Sequence, residues 1–176
     1  MTTSNTTTKT EDTVAKAAGV APDSHLATLL QGRADIFALT QITQDAALNP
    51  QTAGGISPTE RVALACRIAQ LNNVSELATQ YQQTYQQIVS VDEALLQRVA
   101  DPAQTSTDFD DARLAALIRH VDLVTQTPKD ASRADIQALR DAGLTEPDIV
   151  RLSEIIAFVN YQLRLVAGLQ LLGARA

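Results

Sequence analysis

The residue in this chain best suited to covalent chemistry is Cys66, its only cysteine. One thiol excludes an intrachain disulfide and any Cys-x-x-Cys dithiol cycle. Cys66 lies among Ala63, Ala65, Ile68 and Ala69, where a small apolar thiol packs well and burial disfavours the thiolate. It reads as a core residue. It becomes a one-cysteine nucleophile only if an acceptor such as Glu60, or a cation such as Arg67, swings towards it.

Asn160 and Arg164 are the stronger polar candidates. Helical spacing places them on one face with Ser153, Ala157 and Gly168, where they either anchor a helix or wall a pocket. His120 lies beside the apolar Leu117/Val121 stripe, flanked by Arg119 and Asp122. A histidine so placed reads as a hydrogen-bonded boundary residue, since a metal needs three or four converging donors. His25, near an N-terminal cap, suggests less. No cofactor-binding or metal-ligating pattern is visible, and Gly54-Gly55 has no lysine downstream to make a phosphate loop.

Around these residues lies a chain of 176 residues, 45% hydrophobic but only 3% aromatic, with no tryptophan. Alanine and leucine must supply most of the packing, which favours close-packed helices over a sandwich of sheets. The net charge of −6 argues against nucleic acid or an anionic membrane surface as partner. The polar N-terminus lacks the apolar core of a signal peptide. The apolar run from Ile149 to Leu172 is interrupted by Arg151, Glu154, Asn160 and Arg164, which argues against a membrane span. A cytoplasmic protein is expected.

Residues 1–20 read as a disordered, threonine-rich tail. Residues 21–100 form a first helical half, 101–111 a linker with Pro102 and several acids, and 112–176 a second half. Within the first half, one helix is expected over Ser57 to Asn72 and another from about Ser75 to Ala100.

The halves share a sequence. Ala53 to Asn72 lies over Asp141 to Asn160 without a gap, 88 positions apart. Each copy runs glycine, aliphatic residue, hydroxyl cap, acid three residues on, and then an apolar helix ending Ile-Ala-x-aliphatic-Asn. Ser57 with Glu60 and Thr145 with Asp148 are therefore expected to start two equivalent helices, with Gly55 and Gly143 ending the segments before them. The apolar residues of the last helix cover so much of its circumference that homo-oligomerisation is expected to bury the remainder.

Three segments carry a resemblance: Val-Thr-x-x-Pro at 124–128, Ala-Asp-Ile-x-Ala-Leu-Arg-x-Ala-Gly-Leu at 134–144, and Ile-Ala-Phe-Val-Asn-Tyr-x-x-Arg-x-x-x-Gly-Leu at 156–169. Over about a third of the chain, this pattern resembles the alkylhydroperoxidase D-like proteins of the carboxymuconolactone decarboxylase superfamily, in their peroxidase-related branch. The resemblance implies an all-α fold with an internal two-fold repeat, assembly as a homotrimer or homohexamer, and antioxidant reduction of hydroperoxides. In the active family that chemistry uses a Cys-x-x-Cys pair, a histidine and a glutamate. Carried over by position, the cysteines fall on Val74 and Leu77, the histidine on Tyr81 and the glutamate on Val62. All four are replaced.

The resemblance therefore implies a peroxidase-related protein that has lost its dithiol centre and has a binding or structural role, with an active paralogue as a candidate partner. A second reading is a non-redox enzyme acting on a small organic acid, as in the decarboxylase branch. Arg164 would then hold the acid group, with His120 or Tyr81 carrying a proton.

Overall fold

The computed structural model describes residues 12–86 and 91–174, and among them every regular element is a helix. The α-helices are α1 (Thr13–Ala17), α2 (His25–Gln31), α3 (Ala34–Leu48), α4 (Pro58–Leu71), α5 (Ser75–Tyr85), α6 (Glu93–Ala100), α7 (Ala112–Gln126), α8 (Arg133–Asp141) and α9 (Glu146–Gly173). The all-α class expected from the low aromatic content is what the chain adopts.

α4 is the axis of the fold. Its start is fixed by a reciprocal cap: the Glu60 amide donates to Ser57 Oγ at 3.2 Å and the Ser57 amide to Glu60 Oε2 at 2.7 Å, with Pro58 in the first turn. Two orphan amides at the helix start are thereby satisfied. At its far end Asn73 takes a left-handed φ of 58° and turns the chain into α5. Every residue from Thr59 to Ala69 is buried, and α4 contacts α3, α5, α6, α7 and α9. Alanines at 63, 65 and 69 let those neighbours approach closely.

Burying α4 also buries two arginines, and each is satisfied. Arg61 donates to the carbonyls of Ile56, Ala47 and Ala53. Arg67, 1% exposed, forms a forked pair with Asp122 at 2.6 and 2.7 Å and donates to the carbonyls of Val99, Asp101 and Gln104. The bridge ties α4 to α7 and to the connection after α6. That connection, read as a linker over 101–111, is an anchored loop with a short 3-10 turn at Ser106–Asp108 and a buried Phe109.

α9 is the second long core helix and packs on α1, α3, α4, α7 and α8. Its 28 residues are long and apolar enough to cross a membrane by length and composition alone, a test that a core helix also passes. Its buried side chains Leu152, Ile155, Val159, Leu163 and Val166 instead follow helical spacing along the face turned to the core. Thr145 caps its start, accepting from the Asp148 amide at 3.4 Å.

Two boundaries differ from expectation. The 1–20 tail is not disordered to its end: α1 is capped by Asp12 and buries Val14 and Ala17 against the core, while residues 1–11 lie outside the described residues. The helix expected over Ser75 to Ala100 is two helices, because the Asp92 carboxylate accepts from the Leu95 amide at 3.0 Å and starts α6 afresh.

Candidate functional site

The positions that the resemblance assigns to redox chemistry form a filled core. Val62, Leu77 and Tyr81 are each 0% exposed, and Val74 is partly buried against them. Cys66 is 1% exposed, its thiol donating to the Ala78 carbonyl at 3.5 Å. Burial pushes that thiol up to about 12, and the negative charge of Glu93 adds to the effect. The two groups thought able to activate it are engaged elsewhere: Glu60 in its cap and with Arg113 at 2.6 Å, Arg67 with Asp122.

Tyr81 does not join His120 and Arg164, as the second reading would have it. Its hydroxyl donates to Gln162 Oε1 at 2.5 Å, inside a buried polar network that the sequence did not reveal. Gln162 donates to Gln44 at 2.9 Å; Gln44 donates to Tyr85 and Thr13 at 3.2 and 3.3 Å; Tyr85 donates to Asp45 at 2.8 Å. Burial raises both tyrosines well above their ordinary range, so they stay protonated donors. The available signal was a glutamine in line with Thr40 and Leu48 on α3, and another beside Leu163 on α9. Polar residues at core positions must find partners.

The other candidates converge. His120, Asn160 and Arg164 line one groove of about 580 Å³ between the end of α7, the turn after it, α8 and the middle of α9. Its apolar lining includes Val124, Pro128, Ile136, Ile156 and Ala157. Much of the sequence that carries the resemblance thus meets in this groove: Val124, Thr125 and Pro128 from the first segment, Ile156, Ala157, Asn160 and Arg164 from the last. Thr125, Ser132 and Ile136 were not singled out as site residues, although Thr125 and Ile136 stood within the quoted motifs.

His120 is not the hydrogen-bonded boundary residue expected. It is 6% exposed, and its Nδ1 is buried without a protein partner among the described residues; the same is true of Thr125 Oγ1. Burial lowers the pKa of His120, Asp135 opposes and Arg119 reinforces that shift, so the imidazole is neutral at pH 7. Asn160 both anchors and lines: its Nδ2 donates to the Ile156 carbonyl at 2.9 Å, while its side chain faces the groove. Arg164 is exposed at the rim, donating through Nη1 to the Asn160 carbonyl at 2.8 Å. Among the described residues no group of three or more His, Cys, Asp or Glu side chains is placed to hold a metal.

Comparison with solved structures brings out a peroxidase-related protein from Silicibacter sp. TM1040, 17% identical in sequence, with a TM-score of 0.64 over 77% of this chain and 68% of that one. The two chains share a fold. No family model matches the sequence, and no curated protein does. The surroundings of Cys66 are buried, whereas His120, Asn160 and Arg164 line the groove between α7, α8 and α9.

Proposed function

We propose that this is a peroxidase-related protein of the alkylhydroperoxidase D-like kind that has lost its dithiol centre and works as a non-redox binding protein, with the groove between α7 and α9 as its site. The observation that carries this reading is His120: a neutral imidazole, buried, with Nδ1 unpartnered, lining a groove whose size suits a small molecule. Buried polar atoms ordinarily have partners, and a ligand that reaches His120 Nδ1 would supply one. The filled core at Val62, Leu77 and Tyr81 supports the non-redox half of the reading, since a buried, protonated thiol is a poor nucleophile.

A second reading is catalysis without redox, on a small organic acid. It is favoured by His120 and Arg164 lining the same groove: the imidazole would take a proton from carbon next to a carboxylate that the guanidinium holds. Tyr81 has no part in it. The reading requires turnover, whereas the binding reading requires only saturable occupancy.

The proposed setting is cytoplasmic, as a homotrimer or homohexamer, beside an active paralogue. Leu39, Ile42, Leu171 and Leu172, each more than half exposed, support a contact between copies. Light scattering should report a multiple of the monomer mass.

The non-redox assignment is tested by sulfenate trapping. The native protein, exposed to hydroperoxide and then to a sulfenate-specific dione, should show no adduct at Cys66 by mass spectrometry, and an adduct only after unfolding. Rapid labelling of the native protein would overturn the assignment.

A further inference from the structure

We infer that the groove between α7 and α9 selects an amphipathic monoanion, a carboxylate on an apolar body, whose charged end meets Arg164 and whose body reaches in past His120 and Thr125. The inference rests on the groove being the binding site, and adds the chemistry of what binds.

The groove's charge is one-sided. Arg164 is the only side chain in its lining that carries a charge at pH 7, because His120 is held neutral by burial. Arg164 lies exposed at the edge of the groove. One guanidinium amino group is spent on the Asn160 carbonyl, which fixes the side chain along α9; Nη2 and Nε have no protein partner among the described residues. That leaves the edge of the guanidinium which grips a carboxylate through two parallel bonds.

The rest of the lining sets the body of the ligand. Ala157 lies two turns of α9 before Arg164 and leaves space where a larger side chain would close the groove, while Val124, Ile136 and Ile156 present apolar surface. From Ser153 to Arg164 the helix runs about 16 Å, long enough for a medium-chain carboxylate to lie along it. Two hydroxyls that line the groove are already spent: Ser132 Oγ donates to Asp135 and Ser153 Oγ to the Ile149 carbonyl, 2.8 and 2.9 Å away. His120 Nδ1 and Thr125 Oγ1 have no protein partner among the described residues but are buried beneath the lining, so they would hold only a hydroxyl or carbonyl that enters between the side chains to reach them.

The experiment compares carboxylates with their neutral amides. Butanoate, octanoate, decanoate and benzoate, each beside its amide, are titrated into the full-length protein, with binding read by calorimetry and by the His120 imidazole resonances. At least one carboxylate is expected to shift those resonances saturably and to bind about tenfold tighter than its amide. Arg164→Gln, at an exposed position, should abolish the difference between acid and amide, weakening the acid far more than the amide. Ala157→Phe should block both. Equal binding of acid and amide, with His120 shifted, would overturn the anion inference and leave the site standing. No binding by any member would overturn the site as well. If Ala157→Phe fails to fold, Arg164→Gln still decides the matter.

Discussion

The Gly55 amide donates to the Asp148 carboxylate at 2.8 Å, joining the start of one repeated helix to the start of the other across 93 residues. Asp148 is the repeat counterpart of Glu60, and each acid also serves its own cap region: Glu60 accepts from the Ser57 amide, Asp148 from the Thr145 hydroxyl at 2.6 Å. Bonds from Thr145, Gly55 and Arg151 hold the Asp148 pKa below the usual carboxylate range. Arg113 closes the junction by donating to both Glu60 and the Gly55 carbonyl. The repeat is therefore a physical interlock as well as a likeness of sequence.

Gly55 and Gly143 should respond to alanine for different reasons. A Cβ at Gly55 would collide with the pinned Asp148 carboxylate, so Gly55→Ala should cost about 1–3 kcal/mol through overpacking. At Gly143 there is open space, but φ is +91°, and the cost of about 1 kcal/mol comes from backbone strain. The positive φ of the first copy falls on Gly54 instead, at +67°, so the turns before the two helices are not superimposable. Denaturant melts of Gly55→Ala, alone and with Asp148→Ala, check this: the double variant should not pay the two costs additively.

Ser57→Ala and Thr145→Ala should each lower stability by about 1 kcal/mol, because each removes the oxygen that accepts an orphan amide at a helix start. Reversible thermal melts measure both. An unchanged midpoint in the pair would contradict the structural meaning of the repeat.

Arg67→Leu should be far more damaging than any cap. It removes the forked donor from Asp122, which is 26% exposed, and leaves the carbonyls of Val99, Asp101 and Gln104 without their donor, a loss of about 2–4 kcal/mol from unsatisfied polar groups. Urea unfolding followed by circular dichroism gives the value.

Stability should fall as the pH drops below about 6.5, the ordinary histidine value. The folded state holds His120 neutral with a lowered pKa, so the unfolded chain binds the proton first and acid favours it. The stabilisation is complete above the unfolded pKa and is lost as pH falls towards the lower folded pKa. His120→Gln should flatten the difference in stability between pH 7.5 and 5.5; carboxylates, and His25, are common to both proteins and cancel.

The fold was legible because its determinants are local. The Ser57 and Thr145 caps, the Gly143 turn and the apolar spacing of α4 and α9 all act within a few residues of one another. Asn72 and Asn160 were linked by the repeat, and both donate to the carbonyl four residues back at 2.9 Å. The site was half legible. His120, Asn160 and Arg164 were singled out, but their meeting in one groove is tertiary, and so is the separation of Tyr81 from them. The Gln44–Gln162–Tyr81 network escaped because each member satisfies another helix's side chain, and periodicity within one helix carries no such information. The break between α5 and α6 was missed because the Asp92 cap lies within an otherwise continuous helical pattern.

Steady-state consumption of tert-butyl hydroperoxide with an external thiol reductant reads out whether Cys66, the one thiol of the chain, takes part in chemistry. With Cys66 buried, protonated and donating to the Ala78 carbonyl, wild type and Cys66→Ser should both run at the rate of the uncatalysed control. Fast consumption by the wild type, abolished by Cys66→Ser, would contradict the account and make Cys66 a one-cysteine nucleophile.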